Sequence, residues 1–220
     1  MNIVSHFHKA AKQFPNQTAI VYKGKATSYA RLQKLVFDKA IGLQKTGITA
    51  GDNVMLMIPF SLELYIHILA VFYIGARVVL VDAIKDKKGV VAAFEKAACK
   101  GIFTIPVLRI LKYFLFDRKL WGKFLRVPNA EEKTYEAVEQ NKQDSALITF
   151  TSGTTGNPKA ADRTHGFLNI QLSTLIEEMS VKPNDVHITS LPVVLMCNLA
   201  VGATSIIPPK PNKSAEWNFI

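Results

Sequence analysis

Between residues 53 and 105, short apolar runs at 53–58, 77–81 and 101–105 alternate with longer segments at 61–73 and 88–100. Asn53-Val54-Met55-Leu56-Met57-Ile58 and Val78-Val79-Leu80-Val81 carry no polar alternation. That is the pattern of strands buried on both faces of a parallel sheet. Helix-length segments between such strands imply right-handed crossovers and helices packed on the sheet. The expected fold is therefore α/β, a mostly parallel sheet with flanking helices.

The same reading extends outward. Thr18 to Tyr22 and Ala26 to Ser28 flank the turn Lys23-Gly24-Lys25 and read as a hairpin. Ser28 then caps a helix to about Lys45, with Leu32, Leu35, Val36, Ile41 and Leu43 near helical spacing and Gly47 as its stop. A further helix is expected over 107–116 and a polar surface excursion over 130–142. Ser145 to Phe150 reads as a strand, 165–179 as a helix capped by Thr164, and 186–191 as a strand. A last strand over 201–207 is expected to find its sheet neighbours beyond Ile220. No linker composition announces a boundary, so the terminus is expected to fall inside a domain.

Composition removes several classes. The chain has 220 residues, of which 49% are hydrophobic and 20% charged. This is enough for one core and argues against disorder. The segment 64–81 approaches the length of a membrane span, but Gly75-Ala76-Arg77 breaks it and β-branched residues follow, as in a buried helix leading into a central strand. The N-terminus has no apolar secretory core. Cys99 and Cys197 match no metal or redox spacing and read as inert thiols. A cytoplasmic protein is expected, with no metal site of its own.

The formal charge of +10 favours anionic partners. Lys100, Arg109, Lys112, Arg118, Lys119, Lys123 and Arg126 concentrate that charge, with only Asp117 opposing them. Tyr113, Phe114, Phe116, Trp121 and Phe124 lie between these charges, so 100–126 suggests peripheral contact with a membrane surface; the alternative is a solvated face whose aromatics cover the core. Nucleic acid is not expected, because no recognition motif accompanies the charge.

The chemistry concentrates in Thr151-Ser152-Gly153-Thr154-Thr155-Gly156-Asn157-Pro158-Lys159. Four hydroxyls, two glycines free to turn their N–H groups inward and one lysine can wrap an anion, most simply a polyphosphate. The segment follows a strand directly and is expected to precede a helix, where open α/β sheets collect ligands. It is not a Walker A loop, since Pro158 stands where glycine is required and Ala160 where a hydroxyl is required.

Thr151 to Lys159 resembles the phosphate-loop signature T-S-G-T-T-G-x-P-K of the adenylate-forming superfamily, which includes acyl-CoA synthetases, peptide-synthetase adenylation domains and luciferases. Phe14-Pro15 with Thr18-Ala19-Ile20, Thr27-Ser28-Tyr29, Gly51-Asp52-Asn53-Val54, Gly75-Ala76 and Thr164-His165 are similar to the same family's opening region. The apolar pattern of Leu191 to Gly202, with Val81-Asp82 and Phe103-Thr104-Ile105-Pro106, looks closest to fatty-acid ligases and olefin β-lactone synthetases.

The resemblance implies a two-step reaction. A carboxylic acid, here a fatty acid, attacks the α-phosphorus of Mg2+-bound ATP, pyrophosphate leaves, and the acyl-adenylate passes to a thiol such as CoA. Thr151, Ser152, Gly153, Thr154, Thr155, Gly156 and Lys159 would hold the ATP phosphates. His165, Val193, Val194, Leu195, Met196 and Asn198 form the candidate substrate pocket, with the aliphatic residues alternatively serving as core and His165, at the first turn after its capping Thr164, alternatively structural.

Residues 1–220 would then be the first part of a large N-terminal adenylation domain, cut short, with the C-terminal lid domain absent and the chain expected to be inactive alone. Ala160 in place of the family's usual glycine, and Asp162-Arg163 where apolar residues are common, depart from its pattern. The alternative is a non-catalytic remnant, or a module that binds nucleotide or membrane.

Overall fold

The computed structural model describes residues 1–81, 87–106, 110, 113, 117–129, 136–151 and 159–208. The described helices are α1 (Val4–Gln13), α2 (Tyr29–Lys45), α3 (Leu62–Tyr73), α4 (Lys87–Lys96), α5 (His165–Glu178) and α6 (Pro192–Val201). The strands are β1 (Thr18–Tyr22), β2 (Lys25–Ser28), β3 (Asn53–Met57), β4 (Arg77–Val81), β5 (Gly101–Thr104), β6 (Ser145–Thr151), β7 (Lys159–Thr164), β8 (Val186–Ile188) and β9 (Thr204–Ile207).

The apolar runs form a sheet in the order β5-β3-β4-β6-β7. Its first four strands are parallel, and β7 closes the edge antiparallel to β6. Because side chains alternate along a strand, each of these runs feeds two cores. Val54, Leu56 and Val78 pack with α2 and α3, whereas Met55, Met57, Val79 and Phe150 pack with α4 and with Leu120 and Phe124. α3 is buried along nearly its whole length, as expected of a helix apolar on all sides. The hydroxyls of Ser28, Ser61 and Thr164 accept from the N–H groups of Arg31, Leu64 and Phe167 and so satisfy the first turns of α2, α3 and α5.

Three elements differ from the sequence expectation. Residues 159–164 form β7, so the phosphate-loop sequence joins two antiparallel strands instead of a strand and a helix. The apolar residues after Leu191 form α6, and the strand expected over 186–191 stops at Ile188. Near the N-terminus, α1 buries Val4, Phe7, Ala10 and Ala11.

There is also a second sheet, ordered β2-β1-β9-β8. The strand expected over 201–207 starts at Thr204, and its neighbours β1 and β8 both lie within the chain. Val201 ends α6, and Gly202 turns the chain at φ +92°, with the Phe14 ring packed where a Cβ would stand. The Tyr29 hydroxyl lies 2.8 Å from the Ala203 carbonyl oxygen and 3.0 Å from that of Asn198, tying α2 to this turn.

The helix expected over 88–100 ends at Lys96. The helix expected over 107–116 falls mostly outside the described residues. The expected surface excursion is docked where it is described: the Val138 N–H donates to the Tyr73 carbonyl, and the Asn2 side-chain amide donates to those of Phe72 and Val138. No helix among the described residues is long and apolar enough to cross a membrane.

Candidate functional site

β6 and β7 form the frame. Thr151 pairs with Lys159, and the register runs back through Thr149–Ala161 and Leu147–Arg163. Ser152, Gly153, Thr154, Thr155, Gly156, Asn157 and Pro158 lie outside the described residues, as does the Thr151 side chain. Lys159 is exposed at the end of the frame nearest the loop. A long cationic side chain there is free to meet an anion.

Below this end, on the face of the sheet covered by α3, is a cavity of about 290 Å³. Leu80, Leu147 and Thr149 form its floor, while α3, α5 and α6 contribute Phe72, Leu172 and Met196 among others. The lining is mainly aliphatic and aromatic, with a few polar groups, a common composition for small-molecule sites. Arg163 is one of those groups, and its Nη1 donates to the Thr149 Oγ1 at 2.7 Å. Tyr65 is another; it is fully buried and its hydroxyl has no hydrogen-bond partner among the described residues.

The six residues expected to form a substrate pocket do not share one place. Val193 and Met196 line the cavity, whereas Val194 is half-buried and outside its lining. Leu195 is fully buried in the main core. The Asn198 side chain binds His187 through Oδ1 and donates to the Ser205 hydroxyl, linking α6 to β8 and β9.

His165 is fully buried at the start of α5. Its Nδ1 accepts from the Ile3 N–H at 3.2 Å, and its ring meets Phe72 edge-on. Burial pushes its pKa down to about 4, with Asp144 opposing and the N-terminal ammonium assisting. It is a neutral histidine tying the N-terminus to α5. It does not line the cavity itself, but it touches Ile3 and Phe72, which do.

Arg163, Thr149, Gln171 and Tyr65 were not anticipated as cavity residues. The strand register could have indicated the first two, since Leu147, Thr149, Ala161 and Arg163 share one face once β6 and β7 are paired.

A second cavity, about 190 Å³, lies beside the end of β5 and is lined by Lys39, Glu63, His67, Thr104 and Arg126 among others. Its one carboxylate among the described residues is engaged from two sides. Lys39 Nζ meets Glu63 Oε1 at 2.9 Å, and the Nδ1 of His67 donates to the Glu63 carbonyl at 2.8 Å. Burial first, then Lys39, lowers the His67 pKa to about 4.

Elsewhere in the basic segment, Lys100 is paired with Asp52 at 2.7 Å and Phe124 is buried in the core. Trp121 is half-buried with its ring edge-on to Tyr113. Cys99 and Cys197 are buried free thiols with pKa values raised by burial to about 12 and about 11. Among the described residues, no group of three or more His, Cys, Asp or Glu could hold a metal ion.

Comparison with known proteins is consistent with this architecture. Residues 7–220 match the AMP-binding enzyme family. The chain is 27% identical to an olefin beta-lactone synthetase of Xanthomonas campestris over 94% of its own length and 42% of that protein. It is 26% identical to 4-coumarate–CoA ligase 1 of Petroselinum crispum, over 85% of this chain and 39% of that one. The chain thus spans less than half the length of these curated relatives.

Among solved structures, the inhibitor-bound N-terminal domain of FACL13 from Mycobacterium tuberculosis superimposes with a TM-score of 0.82 at 22% identity, covering 94% of this chain and 57% of that one. The o-succinylbenzoate CoA synthetase of Bacillus subtilis, in complex with its acyl-adenylate intermediate, gives 0.79 at 19% identity, covering 91% and 55%. At these identities the structures establish a shared fold.

Proposed function

Because this chain belongs to the AMP-binding enzyme family, we propose that it forms the phosphate-handling and acid-binding part of an enzyme that joins a carboxylic acid to ATP, releases pyrophosphate, and passes the acyl-adenylate to a thiol. The observation that carries this reading is one of placement. Thr151 and Lys159 pair at the end of the β6–β7 frame, and Leu147, Thr149 and Arg163 of the same two strands line the apolar cavity, which supports a phosphate group and an acid meeting along this frame.

The division of labour follows from chemistry. Hydroxyls and backbone N–H groups of the loop, with Lys159, would neutralise the β- and γ-phosphates and align the leaving pyrophosphate, a contribution of position and charge. ATP supplies the adenylyl group. The cavity would take the acid's tail, and the aliphatic walls from Leu80, Leu147, Leu172, Val193 and Met196 support a fatty-acid-like body. CoA is the acceptor we favour, as for the CoA ligases among the relatives.

In this reading residues 1–220 are part of a larger N-terminal adenylation domain. The test is acid-dependent exchange of pyrophosphate into ATP by the intact protein. Exchange with a saturated monoacid is expected, and no exchange with any acid would refute the proposal. Lys159→Ala should lower exchange by about 10- to 100-fold if the ammonium makes a charge-assisted contact with phosphate.

A further inference from the structure

Arg163 is out of place in the wall it occupies. A half-buried guanidinium faces a cavity built mainly from aliphatic and aromatic groups, and among the described residues its side chain has one polar partner, the neutral hydroxyl of Thr149. No carboxylate among them forms an ion pair with it. Its neighbour Asp162 pairs instead with Ile148 in the strand register and accepts from the Ser145 hydroxyl. A cation with unused donors in apolar surroundings strongly favours an anionic ligand, above all a carboxylate that a guanidinium can grip with two parallel bonds.

The strand also fixes where that ligand group would sit. Lys159 and Arg163 are four residues apart on β7, so both project from the same face, separated along the strand by about 13 Å. Lys159 is at the loop end and Arg163 at the far end. A carboxylate held by Arg163 would therefore lie toward the end of β7 away from Lys159, which leaves a second carboxyl of the same ligand to serve as the reacting group. A second, buried polar group lines the same cavity from α3: the hydroxyl of Tyr65, which has no hydrogen-bond partner among the described residues.

Resting on the acid-activating reading above, we infer that the substrate is a dicarboxylic acid: an apolar chain whose reacting carboxyl lies at the loop end of the cavity and whose distal carboxylate is bound by Arg163. Such a ligand uses both the aliphatic walls and the cation among them. A simple fatty acid would leave the half-buried guanidinium with the Thr149 hydroxyl as its one polar partner among the described residues.

The experiment compares sebacate, its monomethyl ester and decanoate, with shorter and longer members of each series, as substrates for pyrophosphate exchange by the intact protein. At the best chain length, kcat/KM for the diacid is expected to exceed that for its monoester by about 10- to 100-fold, the range for a charge-assisted contact. Arg163→Met should bring that ratio close to one, and Arg163→Lys should retain part of it.

Decanoate or the monoester matching the diacid at every length would overturn the assignment while leaving acid activation intact. A Met variant that loses diacids and monoacids in equal proportion would overturn it too, since Arg163 would then serve the reacting carboxylate. Exchange with no acid at all would remove the underlying reading and this inference together. The comparison within the unmutated protein stands even if a variant fails to fold.

Discussion

α3 separates two cavities of opposite character. On one side Glu63 and His67 face a polar space in which Lys39 has its counter-charge and Arg126 is exposed; on the other Tyr65, Ile68 and Phe72 wall an apolar space in which Arg163 has no counter-charge among the described residues. A polar cavity built around an ion pair and an exposed cation is explained by folding alone. An apolar cavity holding a half-buried cation and a buried hydroxyl without these partners is not, and on that difference the acid is assigned to the second space.

The largest expected effect comes from filling one cavity and then the other. Met196→Trp places an indole in the apolar space and should lower exchange with a long-chain acid by more than about 100-fold, at a stability cost of about 1–3 kcal/mol from overpacking. Arg126→Trp, at the polar space, should leave exchange within about twofold. Equal losses from both variants, measured beside their thermal midpoints, would erase the distinction.

Titration separates the regions next. His67 and His165 are buried and held near pKa 4, below an unfolded value of about 6.5. Between those values the unfolded chain binds the extra proton, so the folded state loses stability as pH falls from about 6.5 to about 4. Each contributes a loss on the order of 2–3 kcal/mol at the acid end. His67 faces Lys39, Glu63 and Arg126, with Glu63 opposing the shift as Asp144 opposes that of His165, so the two shares should be alike. Urea unfolding across that window should show a shallower pH slope for His165→Gln and for His67→Gln than for the unmutated protein, by similar amounts.

Legibility in the sequence divides along similar lines. The central strands β3, β4 and β5 and the helices α2 and α3 could be read directly, because burial on both faces and capping serines leave local marks. β7 left none: Lys159-Ala160-Ala161-Asp162-Arg163 has no β-branched or aromatic residue, and its strand conformation comes from pairing with β6. For α6 a signal existed. Pro192 stands at its first turn, a common helix start, but the aliphatic run after it is ambiguous when read by hydrophobicity alone.

The second sheet was hidden for a different reason. β1 and β9 are neighbours across most of the chain, and a choice of partner at that separation is made by tertiary packing. A candidate loop and a lysine could be read from the sequence, while the cavity lined by β6 and β7 required their register. Asp162-Arg163 stood out only as an irregularity until that register showed which face each side chain takes.

A smaller effect tests the charge balance itself. Lys39→Met removes a cation paired with a partly exposed carboxylate and should cost about 0.5–1 kcal/mol. Arg163→Met removes a cation that no carboxylate among the described residues balances, and replaces it with a side chain suited to apolar walls. Its effect on unfolding free energy without ligand should be zero or a gain of up to about 1 kcal/mol. If Arg163→Met is the more damaging of the two, Arg163 is a structural residue and the contrast between the cavities loses its meaning.

The smallest effect expected is that of a single oxygen atom. Tyr65 and Tyr29 are both fully buried, but the Tyr29 hydroxyl reaches the carbonyls of Asn198 and Ala203 whereas that of Tyr65 finds no partner among the described residues. Deleting a hydroxyl that has left water without a partner removes a desolvation penalty, so Tyr65→Phe should stabilise the free protein by about 1 kcal/mol, whereas Tyr29→Phe should destabilise it by about the same amount. A ligand that accepts a bond from Tyr65 makes the first number conditional. Saturating diacid stabilises the form that binds it more tightly, so the advantage of Tyr65→Phe should shrink in its presence. An advantage unchanged by ligand would mean that the hydroxyl is a packing defect and Arg163 the sole polar determinant in that wall.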